Sequence, residues 1–283
     1  MIEDLILQGG EVETRDLKEL AKLTSATGIT NVGPNAFRLG HARTKQGVPE
    51  RCALAKLDYA FVPAERKLGD FKLLVMDMDS TLITIETIDE LADLVGRKKE
   101  VAGITARAMR GEIEYDESLR KRVAVLKGLE ETALDRIITE RLQLSPGAEK
   151  MIAGVKKVGM KILLVSGGFT YVTERLQKRL GLDYIRSNKL GVNNGKLTGE
   201  IEGRIVNADG KRDALLEVKS QLRIQKDQII AMGDGANDLK FMAESGVSIA
   251  YHAKPVVRDR ATLAFDYVGL DGVLNLWRRE SAL

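Results

Sequence analysis

Short apolar runs alternate with periodic, helix-like segments along most of the chain. Four of these runs consist mainly of apolar residues, as is typical of strands that are buried on both faces. They cover residues 73–76, 161–165, 228–232 and 247–250. Between them, apolar residues recur at helical spacing, for example over 148–158, 172–180 and 211–222. Strands that alternate with helices predict an α/β fold with a doubly wound, mainly parallel sheet.

Two insertions interrupt this alternation. Residues 85–145 predict several helices and no strand, so we expect a helical cap next to the sheet. The sequence Asn193-Asn194-Gly195-Lys196 predicts a hairpin turn, because Asn-Gly is favoured at the centre of two-residue hairpin loops.

The first 67 residues show a different pattern. A helix is predicted over 14–26, with strands near Leu5 and over 52–61, and a polar linker follows over 63–67. We therefore predict a small α+β accessory or regulatory domain and a large domain. The predicted ranges are 1–67 for the small domain and 68–283 for the large one, with a core of 68–84 and 146–283 and a cap of about 85–145.

Composition and charge exclude several classes of protein. Of the 283 residues, 44% are hydrophobic and 30% are charged, as in soluble globular proteins. The net charge of +3 is spread along the chain, which argues against a nucleic-acid partner. No apolar run approaches the roughly 20 residues of a membrane helix. The single Cys52 excludes an intramolecular disulfide, and the acidic start of the chain is unlike a signal peptide, so we expect a cytoplasmic protein.

Asp77 and Asp79 directly follow the first predicted strand of the large domain. Side chains two positions apart on extended backbone project to the same side, so the two carboxylates would meet. Their repulsion favours a bound cation or a shared proton, and oxygen ligands of this kind suit Mg²⁺. A lone Asp-x-Asp is also compatible with an ordinary loop.

Polar and glycine residues follow two further predicted strands. The hydroxyl of Ser166 and the amide of Gly167 could hold a phosphate, although a plain strand-to-helix turn explains the same residues. After the third strand, Asp234 could complete a metal site with Asp77, while Asn237 and Asp238 could order the loop or the substrate. A capped helix after a turn explains one of these polar residues but not all three.

Taken together, these positions resemble the motifs of the haloacid dehalogenase-like phosphatases. Asp77, Asp79 and Thr81 match the first motif, Asp-x-Asp-x-Thr. The second, third and fourth motifs are matched by Ser166, by Lys211 and by the loop 233–238. Three runs are similar to the phosphoserine phosphatases of this family, and the resemblance extends over about residues 72–254. The runs are 77–90, 118–123 and 165–169.

The resemblance implies a Rossmann-like core of the haloacid dehalogenase type and a Mg²⁺-dependent reaction. Asp77 would attack phosphorus, and Asp79 would act as general acid and then as general base. Mg²⁺ would be bound by the side chains of Asp77 and Asp234 and by the backbone carbonyl of Asp79. Crowding by Asp77 and Asp234 predicts a raised pKa for Asp79, which Mg²⁺ would oppose.

The resemblance also implies how the substrate L-phosphoserine would bind. Glu86 would bind its ammonium group and Arg122 its carboxylate, although each residue alone could equally form a surface ion pair. Ser166, Gly167 and Lys211 would bind the phosphate, with Asn237 as a further contact and Asp238 in support.

Three functions remain open on these residues. The first is hydrolysis of L-phosphoserine to L-serine and phosphate, the last step of serine biosynthesis. The second is phosphoryl transfer to another alcohol such as homoserine, and the third is amino-acid binding without catalysis. For the N-terminal unit, the alternatives are docking against a second subunit, which would give a homodimer, and binding of free serine.

Overall fold

The computed structural model of the protein describes residues 2–278. The N-terminal part forms a four-stranded antiparallel sheet in the order β2-β3-β1-β4, with two helices on one face. Its strands are β1 (Glu3–Gly9), β2 (Gly28–Gly33), β3 (Ala36–Gly40) and β4 (Leu57–Pro63), and its helices are α1 (Thr14–Thr24) and α2 (Val48–Ala55).

A seven-stranded sheet follows, in the order β11-β10-β9-β5-β6-β7-β8. All neighbouring strands are parallel except β7 and β8, which form the hairpin predicted at Asn194-Gly195. The strands are β5 (Leu73–Met76), β6 (Lys161–Phe169), β7 (Tyr184–Asn193), β8 (Lys196–Glu202), β9 (Ile229–Gly233), β10 (Val247–Tyr251) and β11 (Leu263–Phe265).

Helices cover both faces of this sheet because its strands are apolar on both sides. Leu74 and Met76 of β5 pack into one hydrophobic cluster, whereas Leu73 and Val75 pack into another on the opposite face. This arrangement confirms the predicted doubly wound α/β fold. The helices are α3 (Thr87–Leu94), α4 (Lys98–Met109), α5 (Tyr115–Ala124), α6 (Ala133–Arg136), α7 (Ala148–Lys157), α8 (Thr170–Leu180), α9 (Ala208–Leu222), α10 (Leu239–Met242) and α11 (Pro255–Arg258).

The segment 85–145, all of which the structure describes, contains helices and no named strand, as predicted. A turn of π-helix, Ile137–Arg141, continues from α6. Apolar side chains of this segment pack against the β7–β8 hairpin, for example Leu119 and Val123 against Leu190 and Leu197. The cap is therefore anchored on the hairpin at one edge of the sheet.

The N-terminal unit is less well predicted than the core. Cys52 lies in helix α2 and not in the strand predicted over 52–61, which begins only at Leu57. Strands β2 and β3 were not predicted from the sequence. The division of the chain at residue 67 stays a prediction, as do the bounds of the core and the cap. None of the helices within residues 2–278 combines the length and apolar character that crossing a membrane requires.

Candidate active site

Strand β5 lies between β6 and β9 in the large sheet and pairs with both in parallel. The carboxyl ends of these three strands therefore lie side by side, which is where parallel sheets of this type bind ligands. Asp77 follows β5 and continues its ladder, because its backbone N–H donates to the carbonyl of Met232 over 3.1 Å. Asp234 directly follows β9.

Asp77 and Asp238 share the ammonium group of Lys211. Lys211 Nζ donates to Asp77 Oδ1 over 2.7 Å and to Asp238 Oδ1 over 2.8 Å, and all three side chains are buried. The lysine lies in the first turn of α9, as predicted. Burial raises the pKa of Asp77, and the Asp238 carboxylate raises it further, whereas Lys211 opposes both effects.

Three carboxylates form a cluster that fits a divalent cation. One oxygen each from Asp77, Asp234 and Asp238 lies within 4.8 Å of the others. Burial, followed by the Asp238 carboxylate, raises the pKa of Asp234 to about 6. Lys211 supplies one positive charge against three negative ones, so a cation would relieve the remaining repulsion.

The Asp79 carboxylate is not part of this cluster. Its Oδ1 accepts hydrogen bonds from the backbone N–H of Thr87 over 3.0 Å and from the Thr87 hydroxyl over 2.5 Å. Burial raises the pKa of Asp79 to about 7, and Glu86 is the second cause. The raised pKa of Asp79 was expected from the sequence, but its causes are burial and Glu86 and not the predicted crowding by Asp77 and Asp234.

Threonines support two of these aspartates, and only one of the threonines was noted from the sequence. Thr81 Oγ1 donates to Asp234 Oδ1 over 3.1 Å and thereby links the loops that follow β5 and β9. Thr87 holds Asp79 from the first turn of α3. No local pattern in the sequence pointed to Thr87, because the helices of residues 85–145 were predicted together and without individual bounds.

Ser166 is fully buried, and its hydroxyl oxygen accepts a hydrogen bond from the Gly168 N–H over 2.8 Å. Strand β6 continues through this segment to Phe169, although it was predicted to end at Val165. A β-carbon on Gly168 would lie 2.8 Å from Asp79 Oδ2, so glycine is needed there for the close approach of the aspartate.

Asn188 is a buried residue whose role was not predicted from the sequence. Its amide donates to the carbonyl of Gly167 over 2.8 Å, and its side-chain oxygen accepts from the N–H of Val206 over 2.8 Å. This residue therefore fixes the Gly167 peptide relative to the segment that leads into α9.

A cavity of about 530 Å³ lies above these strand ends, between core and cap. Most of the predicted site residues line it, but Ser166 and Asp238 do not. The predicted residues that do are Asp77, Asp79, Glu86, Arg122, Gly167, Lys211, Asp234 and Asn237. Glu86 accepts a hydrogen bond from the Ser80 hydroxyl over 2.8 Å, and within residues 2–278 neither Glu86 nor Arg122 forms an ion pair. Two opposite charges thus face the cavity from the cap.

Comparison with known proteins identifies the family. The model of the haloacid dehalogenase-like hydrolases matches residues 74–243, which include both Asp77 and Asp238. The chain belongs to this family. A second model, described only as a domain of unknown function, matches residues 5–47 of the N-terminal unit.

Within this family of hydrolases, the chain is similar to several phosphoserine phosphatases. The phosphoserine phosphatase of Polaromonas sp. is 54% identical over 215 residues, which are 74% of this chain and 91% of the relative. That of Albidiferax ferrireducens is 51% identical over 235 residues, or 81% of this chain and 99% of the relative. The crystal structure of a probable phosphoserine phosphatase from Vibrio cholerae superposes with a TM-score of 0.86 at 36% identity, covering 98% of this chain and 86% of that one.

Proposed function

We propose that the protein is a Mg²⁺-dependent phosphatase that converts L-phosphoserine into L-serine and inorganic phosphate, the last step of serine biosynthesis. The observation that carries this proposal is the lining of a single cavity. Asp77, Asp79 and Lys211 of the core line it together with Glu86 and Arg122 of the cap. The relatives named phosphoserine phosphatase support the same substrate.

The geometry around Asp77 supports its role as the nucleophile. Lys211 donates a hydrogen bond to Asp77 Oδ1, so Oδ2 is the oxygen that remains for attack on phosphorus. As the bond from Oδ2 to phosphorus forms, the bond from phosphorus to the serine oxygen breaks, and Asp79 donates a proton to that oxygen. The pKa of about 7 for Asp79 fits this task, since a carboxyl with an ordinary pKa would hold no proton near neutrality.

The second half of the reaction uses the same two residues. Asp79, now ionised, takes a proton from a water molecule, whose oxygen attacks the phosphorus of the aspartyl-phosphate. The bond from phosphorus to Asp77 breaks, the Asp77 carboxylate is restored and phosphate leaves. Lys211 stabilises the charge on the phosphoryl oxygens in both halves.

Mg²⁺ fits the acidic cluster described above. The side chains of Asp77 and Asp234 would hold the ion together with the backbone carbonyl of Asp79. The Asp79 carboxylate itself accepts a hydrogen bond from the Thr87 hydroxyl. When bound, Mg²⁺ would supply positive charge that neutralises the phosphoryl oxygens. Asp238 supports this site indirectly, because its Oδ2 accepts hydrogen bonds from the N–H groups of Asp234 and Gly235.

Glu86 and Arg122 would select the amino-acid end of the substrate. Their charges are opposite, and phosphoserine presents an ammonium and a carboxylate beyond its phosphate ester. Gly167 and Asn237 line the same cavity and would contact the phosphate end, while the Ser166 hydroxyl accepts a hydrogen bond from the neighbouring Gly168 N–H.

A phosphate-release panel tests this function. L-Phosphoserine is compared with phosphoethanolamine, which lacks the carboxylate, and with phosphoglycerate, which lacks the ammonium group, each with Mg²⁺ and with a chelator. We expect L-phosphoserine to have the highest kcat/KM, with activity lost on chelation and in Asp77→Asn. A preference for phosphoglycerate, or full activity of Asp77→Asn, would contradict the proposal. Added homoserine tests the alternative acceptor, since phosphohomoserine would form only in a phosphotransferase.

A further inference from the structure

Two buried polar atoms without a hydrogen-bond partner lie on one face of helix α5. Among residues 2–278, four buried side-chain polar atoms lack a partner, and two of them are Ser118 Oγ and Arg122 Nε. The two residues are one helical turn apart, on the same side of the helix. Both line the cavity of the proposed active site.

An unpartnered hydroxyl is unusual at the position of Ser118. The residue is only 1% exposed, so water does not satisfy it on the protein surface. Helical serines and threonines commonly bond to the carbonyl four residues earlier. Thr105 does this in the neighbouring cap helix α4, where its hydroxyl donates to the carbonyl of Val101 over 3.1 Å. Ser118 does not, although its own backbone N–H follows the regular helical pattern to Glu114.

We propose that Ser118 is a specificity-determining residue whose hydroxyl donates a hydrogen bond to the carboxylate of the substrate, beside Arg122. This inference rests on the proposed function and names a contact within it. Arg122 Nε is a donor only, and a serine hydroxyl also donates freely. Two unsatisfied donors next to each other fit a group that only accepts, and a carboxylate with its two oxygens is such a group.

The ammonium end of the substrate does not fit this pair. An ammonium group donates hydrogen bonds and repels the Arg122 guanidinium, whereas Glu86 offers it a negative charge elsewhere on the cavity wall. We place the phosphate end at Asp77 and Lys211 instead, because phosphorus reacts at Asp77 in the proposed mechanism. We therefore assign the two donors on α5, the Ser118 hydroxyl and Arg122 Nε, to the carboxylate of the substrate.

Ser118→Ala and a matched control, Thr105→Val, test the contact. Both variants remove one hydroxyl from a helical residue of the cavity wall, but the Thr105 hydroxyl already has its partner within α4. For Ser118→Ala we expect KM for L-phosphoserine to rise about tenfold, as for loss of a hydrogen bond to a charged group, with kcat changed by less than about twofold. The inhibition constant of inorganic phosphate, which has no carboxylate, is expected to stay at the wild-type value. Thr105→Val is expected to keep the wild-type KM.

A thermal melt of the protein without substrate separates binding from a structural role. Because the Ser118 hydroxyl has no partner, Ser118→Ala is expected to melt no lower than the wild type. An unchanged KM, or a lower Tm together with weaker phosphate inhibition, would overturn the inference. If the wild type fails to hydrolyse L-phosphoserine, the proposed function itself falls. If the wild type is active and Ser118→Ala keeps its KM, only the Ser118 contact falls.

Discussion

Lys211 lies between the proposed nucleophile Asp77 and the aspartate that organises the loop after β9. Its Nζ is 2.7 Å from Asp77 Oδ1 and 2.8 Å from Asp238 Oδ1. The second oxygen of Asp238 accepts hydrogen bonds from the backbone N–H groups of Asp234 and Gly235. One ammonium group thus connects strand β5, helix α9 and the loop after β9, so we expect a change at Lys211 to affect both folding and chemistry.

Lys211→Met is expected to destabilise the protein by about 3 kcal/mol, because it leaves two buried carboxylates without their cation. It is also expected to lower kcat for phosphoserine by about a hundredfold, since the phosphoryl group loses a fixed positive charge. Urea unfolding and steady-state kinetics measure the two effects.

The matched control for this variant is Lys240→Met. Lys240 also pairs with an aspartate, Asp209, over 2.7 Å, but both side chains are about half exposed. Solvent screens such pairs, so their loss changes stability little, and kcat should not change. Equal destabilisation by the two substitutions would show that burial of Lys211 is not the cause.

Gly167 is expected to be intolerant of a side chain because of Tyr115 in the cap. A β-carbon on Gly167 would overlap the Tyr115 hydroxyl, whereas the next atom of that ring, Cζ, would be 3.6 Å away. Gly167→Ala should therefore lower kcat/KM about tenfold, as for an overpacked contact of roughly 1.4 kcal/mol.

Removal of the hydroxyl should reverse this loss. In Gly167→Ala with Tyr115→Phe, the overlapping atom is absent, and kcat/KM should return to that of Tyr115→Phe alone. Kinetics of the four proteins in this double-mutant cycle measure the coupling. Simple addition of the two single effects would argue that Gly167 is needed for another reason.

The parallel sheet and the meeting of Asp77 with Asp234 at its edge were predictable because the sequence places both residues in a repeated context. Asp77 and Asp234 each follow an apolar strand directly, and parallel strands bring such positions to one edge of the sheet. Contacts between cap and core were not predictable in the same way. The bond from Thr87 to Asp79 and the unpartnered hydroxyl of Ser118 depend on how the cap helices are oriented, which no local pattern records.

The N-terminal sheet shows a second limit of prediction. Strand β2 exposes most of its residues, so it lacks the alternation of apolar and polar positions that marks a half-buried strand. The apolar stretch near Cys52 was assigned to a strand although Pro49 lies in the first turn of α2, a position that favours a helix start. Tertiary packing of Cys52 and Val48 against β1 and β4 decides that segment.

Asn207 joins the cap to the helix that carries Lys211. Its side-chain oxygen accepts hydrogen bonds from the backbone N–H groups of Asp209 and Gly210, both over 3.1 Å. Its side-chain NH₂ group donates to the carboxylate of Asp116 in α5 over 2.9 Å. Asn207→Ala is expected to cost about 1 kcal/mol through loss of the helix cap. It should also raise KM for phosphoserine severalfold, because α5 carries Arg122.

Asp116→Ala separates these two effects. It removes the hydrogen bond between α5 and Asn207 but keeps the hydrogen bonds by which Asn207 caps the N-terminus of α9. We expect the same rise in KM with a change in stability below about 0.5 kcal/mol, measured by kinetics and urea unfolding. A wild-type KM in Asp116→Ala would show that the link does not position the cap.

Asp58 fastens the N-terminal unit to the edge of the large sheet. Its buried carboxylate accepts hydrogen bonds from the backbone N–H groups of Asp266, Tyr267 and Val268, over 2.8, 2.9 and 3.0 Å, directly after β11. Asp58→Ala leaves these three donors without an acceptor. We therefore expect a loss of about 3 kcal/mol in the free energy of unfolding.

Asp58→Ala also tests whether the N-terminal unit has a structural or a regulatory role. Deletion of residues 1–67 would remove Asp58 as well, so lost activity in such a protein would not by itself show a regulatory role. Asp58→Ala and the exposed control Asp259→Ala are compared by urea unfolding and by kinetics with added L-serine. If Asp58→Ala unfolds at lower urea but keeps the wild-type kcat and serine response, the unit acts as a structural support. A stability equal to that of Asp259→Ala would contradict the role assigned to Asp58.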